Sequence, residues 1–94
     1  MTAHEKYNQF CRNHVNDSEA DFFANLAEEF DVSLSVAYDI WYAPQRNWYL
    51  PEMMDEIIRL DKAPAGEFRP NFCSGEFDWD NVNKKFIPEK EQTS

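Results

Sequence analysis

The sequence predicts a mainly α fold, a compact bundle of three to four helices followed by an aromatic-rich irregular or extended C-terminal segment. Three observations carry this. Apolar residues recur at spacings of three and four from Tyr7 to Leu60. Serine and threonine stand just ahead of those runs, where helix N-caps belong. Beyond Lys62, Pro64, Gly66, Pro70 and Gly75 exclude long helices, yet Phe68, Phe72, Phe77, Trp79 and Phe86 make the stretch too aromatic for a free tail.

The first helix is expected over Thr2 to Val15. Thr2 and Glu5 have capping-box spacing, and Tyr7, Phe10, Cys11, His14 and Val15 share one face. Asn16-Asp17-Ser18 breaks it, and a second helix runs from Glu19 to Phe30. Its apolar face is Phe22, Phe23, Leu26, Ala27 and Phe30, and Asp17, Asp21, Asn25 and Glu28 fall opposite. Ser33 or Ser35 caps a third helix burying Val36, Ala37, Ile40 and Trp41, which must stop before Pro44 because the residue preceding proline avoids helical dihedrals. Pro51 suits the first turn of a fourth helix, with Met53, Met54, Ile57, Ile58 and Leu60 on its apolar face and Asp61 at its end. Gly75 suits a turn, and Phe77-Asp78-Trp79-Asp80 alternates as an edge strand or extended arm does. The expected core joins Phe10, Phe23, Leu26, Phe30, Val36, Ala37, Ile40 and Ile57. Residues 1–87 then form one helical domain with a wrapped C-terminal arm, and residues 88–94 a flexible tail.

Composition narrows the functional classes. The 94 residues are 43% hydrophobic and 16% aromatic, enough for a core and against wholesale disorder. No apolar run approaches the roughly 20 residues that span a bilayer, and Met1-Thr2-Ala3-His4-Glu5-Lys6 lacks the pattern of a signal peptide, so a cytoplasmic protein with no membrane partner is expected. Two cysteines, Cys11 and Cys73, make no disulfide framework. The formal net charge is -9, from 18 Asp+Glu against 9 Lys+Arg. Asp17, Glu19, Asp21, Glu28, Glu29, Asp31 and Asp39 all fall between Arg12 and Arg46, a span without one Lys or Arg.

Leu26-Ala27-Glu28-Glu29-Phe30-Asp31-Val32-Ser33-Leu34-Ser35-Val36-Ala37-Tyr38-Asp39-Ile40-Trp41 resembles the core of a helix-turn-helix unit, within a match of about residues 22–41. The resemblance implies close helix approach at Ala27, a tight turn at Asp31, where the family prefers glycine, and a second helix fixed by Val32, Ala37 and Ile40. Any tightly packed helix pair produces the same spacing. DNA affinity comes mainly from Lys and Arg against phosphates, and the recognition-helix positions Ser33, Leu34, Ser35, Tyr38 and Asp39 offer neither. Direct nucleic-acid binding is therefore disfavoured. It survives as an alternative in which a dimeric helix-turn-helix regulator contacts DNA through Arg12, Arg46, Lys84 and Lys85.

The acidic stripe suggests the opposite partner. Asp17, Asp21 and Glu28 stand about 6 and 10 Å apart along a helix axis, a spacing similar to a row of phosphates. This resembles the DNA-mimic inhibitors that phages and mobile elements encode, acting in the host cytoplasm. The expected function is a non-enzymatic acidic module that occupies the basic groove of a nucleic-acid-binding protein. Its contact residues would be Asp17, Asp21, Glu28, Glu29, Asp31 and Asp39, with Tyr42, Arg46, Trp48 and Tyr49 as aromatic and cationic anchors. The competing reading is a solvated helix face, with Trp41 and Trp48 completing the core. Seven mutually repelling carboxylates should also bind protons more tightly in the folded state, so that mild acid and added salt both stabilise the fold.

Catalytic and metal chemistry is not expected, and neither is a cofactor. His4, Cys11 and His14 lie near one face of the first helix and with Cys73 could form a zinc set, but no Cys-x-x-Cys pair anchors it and packing explains these residues. A Cys11–His14 thiol–imidazole pair would lack a cleft and an orienting third group. Gly66 and Gly75 cannot build a phosphate loop, and neither Glu28-Glu29 nor Asp78 with Asp80 has calcium-loop spacing.

Overall fold

A computed structural model describes residues 1–72 and 74–89. Four helices follow one another, α1 (Ala3–Asn13), α2 (Glu19–Phe30), α3 (Leu34–Tyr42) and α4 (Met53–Leu60), with a short 3-10 helix, Ala43–Gln45, after α3. A two-stranded antiparallel hairpin, β1 (Phe77–Asp80) and β2 (Lys85–Pro88), completes the chain. No helix among the described residues is long and apolar enough to cross a membrane.

Local chemistry sets the helix ends. Thr2 and Glu5 form a reciprocal capping box, Ser18 Oγ accepts from Asp21 N at 3.2 Å, and Ser33 Oγ from Val36 N at 3.3 Å. Asp31 closes α2 in the left-handed conformation, φ 54°. Val32 N then reaches Ala27 O at 2.9 Å and Asp31 N reaches Glu28 O at 3.2 Å, a Schellman ending with aspartate where glycine is usual. Lys6 Nζ donates to Glu29 O at 3.0 Å, placing a cation on the carbonyl end of α2.

Two boundaries differ from expectation. α1 stops at Asn13 and leaves Val15 largely exposed, because the chain must turn into Ser18. α3 ends at Tyr42, ahead of Pro44 as expected, and Pro44 lies in the 3-10 turn that follows, which its fixed φ suits. Pro51 lies in the turn ahead of α4, with Glu52 at the N-cap.

The core unites Phe10, Leu26, Phe30, Val36, Ala37, Ile40 and Ile57 with Met53, Met54, Leu60, Phe72 and Phe86. Phe23, expected among them, is only half-buried. β1 pairs with β2 in a register that sets Phe77 opposite Pro88 and Trp79 opposite Phe86, so these rings share the face that packs on the helices. Asp80 Oδ1 accepts from Val82 N and Asn83 N at 3.0 and 3.1 Å, and Lys84 takes φ 54°, which closes the hairpin without glycine. Pro88, expected as the first residue of the tail, is the last residue of β2; residues 90–94 and Cys73 lie outside the described residues.

Candidate partner-binding surface

The expected contact residues divide into three groups. Asp21, Glu28 and Glu29 are exposed on α2, and their side chains meet no cation or hydrogen-bond donor among the described residues. Glu19, at the start of the same helix, is exposed and unpaired as well. Asp21 and Glu28 share one side of α2 with Glu29 about 100° around from them, and these three form the open acidic face, whereas Glu19 falls about 160° from Asp21, on the Phe23 side.

Asp17 and Asp31 do not belong to it in the way the stripe implied. Asp17 precedes the Ser18 N-cap, and its Oδ2 accepts from His14 Nδ1 at 2.7 Å and from Asn25 Nδ2 at 3.1 Å. The His14 bond first, and the Asn25 bond after it, hold its pKa below the ordinary aspartate value. Asp31 pairs with Lys62 Nζ at 2.9 Å, which also lowers its pKa. Mutual repulsion therefore does not set these two carboxylates, because each has a donor that the linear sequence placed out of view.

Asp39 is the third case. It is half-buried on α3 with no partner among the described residues, and burial raises its pKa to about 6. The direction is the one repulsion would give, but the cause is desolvation.

The aromatic anchors also separate. Tyr42, Trp48 and Tyr49 are all half-buried. Arg46 Nη1 donates to Tyr42 Oη at 2.8 Å, and its guanidinium lies 5.3 Å from that ring's centroid. Trp48 stacks with Phe72 at 6.0 Å and meets Phe77 edge-on at 4.8 Å, so it closes the helices against the hairpin. Tyr49 shares a 2.6 Å hydrogen bond with His4 Nδ1, and burial, with Asp55 nearby, pushes its hydroxyl pKa up. Trp79, in the segment expected as an edge strand or extended arm, packs on Phe86 and donates to Glu52 Oε1 at 3.3 Å.

A row of rings joins Phe22, Phe23 and Trp41, expected on the buried faces of their helices, to Tyr38 and Tyr42, read as exposed and contact positions. Phe22 meets Phe23 at 83° and 5.4 Å, Phe23 meets Trp41 at 81° and 5.6 Å, and Tyr38 stacks on Tyr42 at 13° and 5.9 Å. Tyr38 is 42% exposed and Leu34 64%, a turn apart on α3. The readable signal was their position outside the Val36-Ala37-Ile40 spacing.

The Phe22–Trp41 end of this row opens into a cleft of about 440 Å³. Cys11, His14 and Asp17 line it as well, so the cleft and the carboxylate orienting His14, neither evident in the sequence, are both present. Cys11 is half-buried, and burial first, with the Cys11 thiol after it, raises the pKa of the Tyr7 hydroxyl. Among the described residues no three His, Cys, Asp or Glu side chains are grouped to hold a metal. No protein family, curated protein or solved structure matches the chain.

Proposed function

We propose that this protein is a non-enzymatic acidic binding module that occupies the cationic groove of a nucleic-acid-binding partner, in the manner of a phage-encoded DNA mimic working in the host cytoplasm. The observation that carries the reading is the open acidic face of α2. Asp21, Glu28 and Glu29 are exposed and have no partner among the described residues, although four other carboxylates, Asp31, Glu52, Glu56 and Glu67, hold lysine or arginine partners. Unpaired like charges on one helix repel, and a cationic groove relieves that repulsion and accelerates encounter. Asp21 and Glu28 stand about 10 Å apart along the axis.

The test is retention of cellular nucleic-acid-binding proteins on the immobilised chain. Bound protein should be released by added duplex DNA and should be lost from an Asp21→Lys/Glu28→Lys variant. Retention indifferent to both the competitor and the variant would sink the reading. A second reading, a dimeric helix-turn-helix regulator, draws on the left-handed turn at Asp31 between α2 and α3. It requires a duplex DNA shift at low salt that depends on Arg12, Arg46, Lys84 and Lys85.

A further inference from the structure

The cleft at the end of the aromatic row combines two kinds of wall. Phe22, Phe23 and Trp41 meet nearly at right angles, so their faces form a corner rather than a single stacked sheet. Asp17 and Glu19 line the same space. Both hydrogen bonds to Asp17 fall on Oδ2, which leaves Oδ1 without a donor among the described residues. The bond from His14 keeps this carboxylate ionised well into mild acid. Glu19 has no partner among the described residues.

Aromatic faces beside carboxylates suit a cation. The ring quadrupole attracts positive charge over the face, and the carboxylates accept its N–H groups. The protein already uses this surface so at its far end, where Arg46 lies over Tyr42. Guanidinium fits better than ammonium, because it is planar, weakly hydrated, stacks on indole and benzene rings, and presents a fork of donors to two separate acceptors. Water strips from it at lower cost, which matters in a cleft walled by three rings.

We propose that this cleft receives an arginine side chain of the basic partner, stacked in the Phe22–Phe23–Trp41 corner and hydrogen-bonded to Asp17 Oδ1 and Glu19. The assignment rests on the reading of the chain as a binding module and names an anchor on the Phe23 side of α2, away from Asp21 and Glu28. A row of phosphates cannot supply such a contact. The cleft therefore adds discrimination among basic partners to the general attraction of the α2 face.

The probe is a blocked Gly-Arg-Gly peptide titrated into the intact protein at low ionic strength, with the Trp41 indole and Phe23 ring resonances followed by NMR. Citrulline and lysine versions serve as the neutral and the unforked controls. The arginine peptide should shift both resonances saturably, the citrulline peptide should act roughly tenfold more weakly, and Glu19→Gln and Asp17→Asn should each weaken the response. No shift, an equal shift with citrulline or lysine, or indifference to both substitutions overturns the assignment. The wild-type comparison of peptides does not depend on how any variant folds. Partner retention lost in Asp21→Lys/Glu28→Lys, with a Trp41 indole that ignores arginine, overturns the cleft and leaves the acidic face standing. An arginine response with no retention dependent on those two charges overturns the face and leaves the cleft.

Discussion

Residues 1–50 hold 8 Asp+Glu against 3 Lys+Arg, and residues 51–94 hold 10 against 6, giving closely similar net charges of -5 and -4. Their carboxylates nevertheless do different things. In the second half Arg59 bridges Glu56 and Glu67, Lys84 reaches Glu52 at 3.1 Å, and Trp79 donates to Glu52 as well. Asp61 braces the N-cap of α3 through Ser33 Oγ at 2.9 Å. In the first half the carboxylates of α2 face solvent, and Lys6 donates to the Glu29 carbonyl and lies over the Phe30 ring. Net charge alone therefore does not identify a binding face. What distinguishes the halves is how many acidic groups lack an internal partner.

The largest effect should come from the core the halves share. Phe30→Ala removes a ring buried beneath Lys6 and among the helices, at a cost of about 3 to 5 kcal/mol. Helical circular dichroism and the near-ultraviolet signal of the hairpin aromatics should collapse together, since Phe72 and Phe86 belong to the same cluster. Two separate transitions would break the picture of one core serving both halves.

The difference in charge pairing is tested next. Glu56 is 7% exposed and its two oxygens accept from Arg59 at 2.7 and 2.6 Å. Glu56→Gln should destabilise by about 1 to 2 kcal/mol in denaturant titration, because charge-assisted bonds at a buried oxygen are replaced by weaker ones. Asp21→Lys/Glu28→Lys should change stability by no more than about 0.5 kcal/mol. The first substitution loses a favourable contact with the α2 dipole and the second, in the last turn, gains one. Equal losses from the two variants would show that the α2 carboxylates support the fold after all.

The smallest effect is the pH response. Burial raises the Asp39 pKa to about 6 in the folded protein, above an unfolded value near 3.9. The folded state therefore binds the extra proton, and stability should rise as pH falls from neutrality through 6, a gain of about 1 kcal/mol or less at this half-exposed position. Asp17, Asp31, Glu67 and Asp80 have lowered values from their donors His14, Lys62, Arg59 and Asn83. Their contributions are present above about pH 4 and are lost as pH falls through the lowered folded values. Melting temperature should thus peak between about pH 4 and 5. Desolvation is not screened by salt, so the rise from neutrality should persist at high ionic strength and vanish in Asp39→Asn. A rise that salt abolishes would restore mutual repulsion as its cause.

Helix positions were legible because their signals are local. Thr2, Ser18 and Ser33 cap the three helices that follow them, Asp31 adopts the left-handed turn its place after Phe30 demands, and α2 occupies the residues its periodicity marks out. β2 was not legible, since Lys85-Phe86-Ile87-Pro88 does not alternate apolar with polar and exists only by pairing with β1. Phe23 satisfied the helical spacing of a core residue yet lines the cleft, because periodicity locates a face and not the neighbour that covers it.

The sequence by itself determined the order of the helices, their caps and a cation-free span from Arg12 to Arg46. Only the tertiary structure decided which acidic groups in that span remain open. Lys62 comes to Asp31 from 31 residues away, His14 turns back onto Asp17, and the packing of α3 withdraws Asp39 from water. Caps and periodicity act within a few residues and are written in the chain. Charge pairing and desolvation act through space over a few ångströms, between groups whose proximity exists only once the helices have packed.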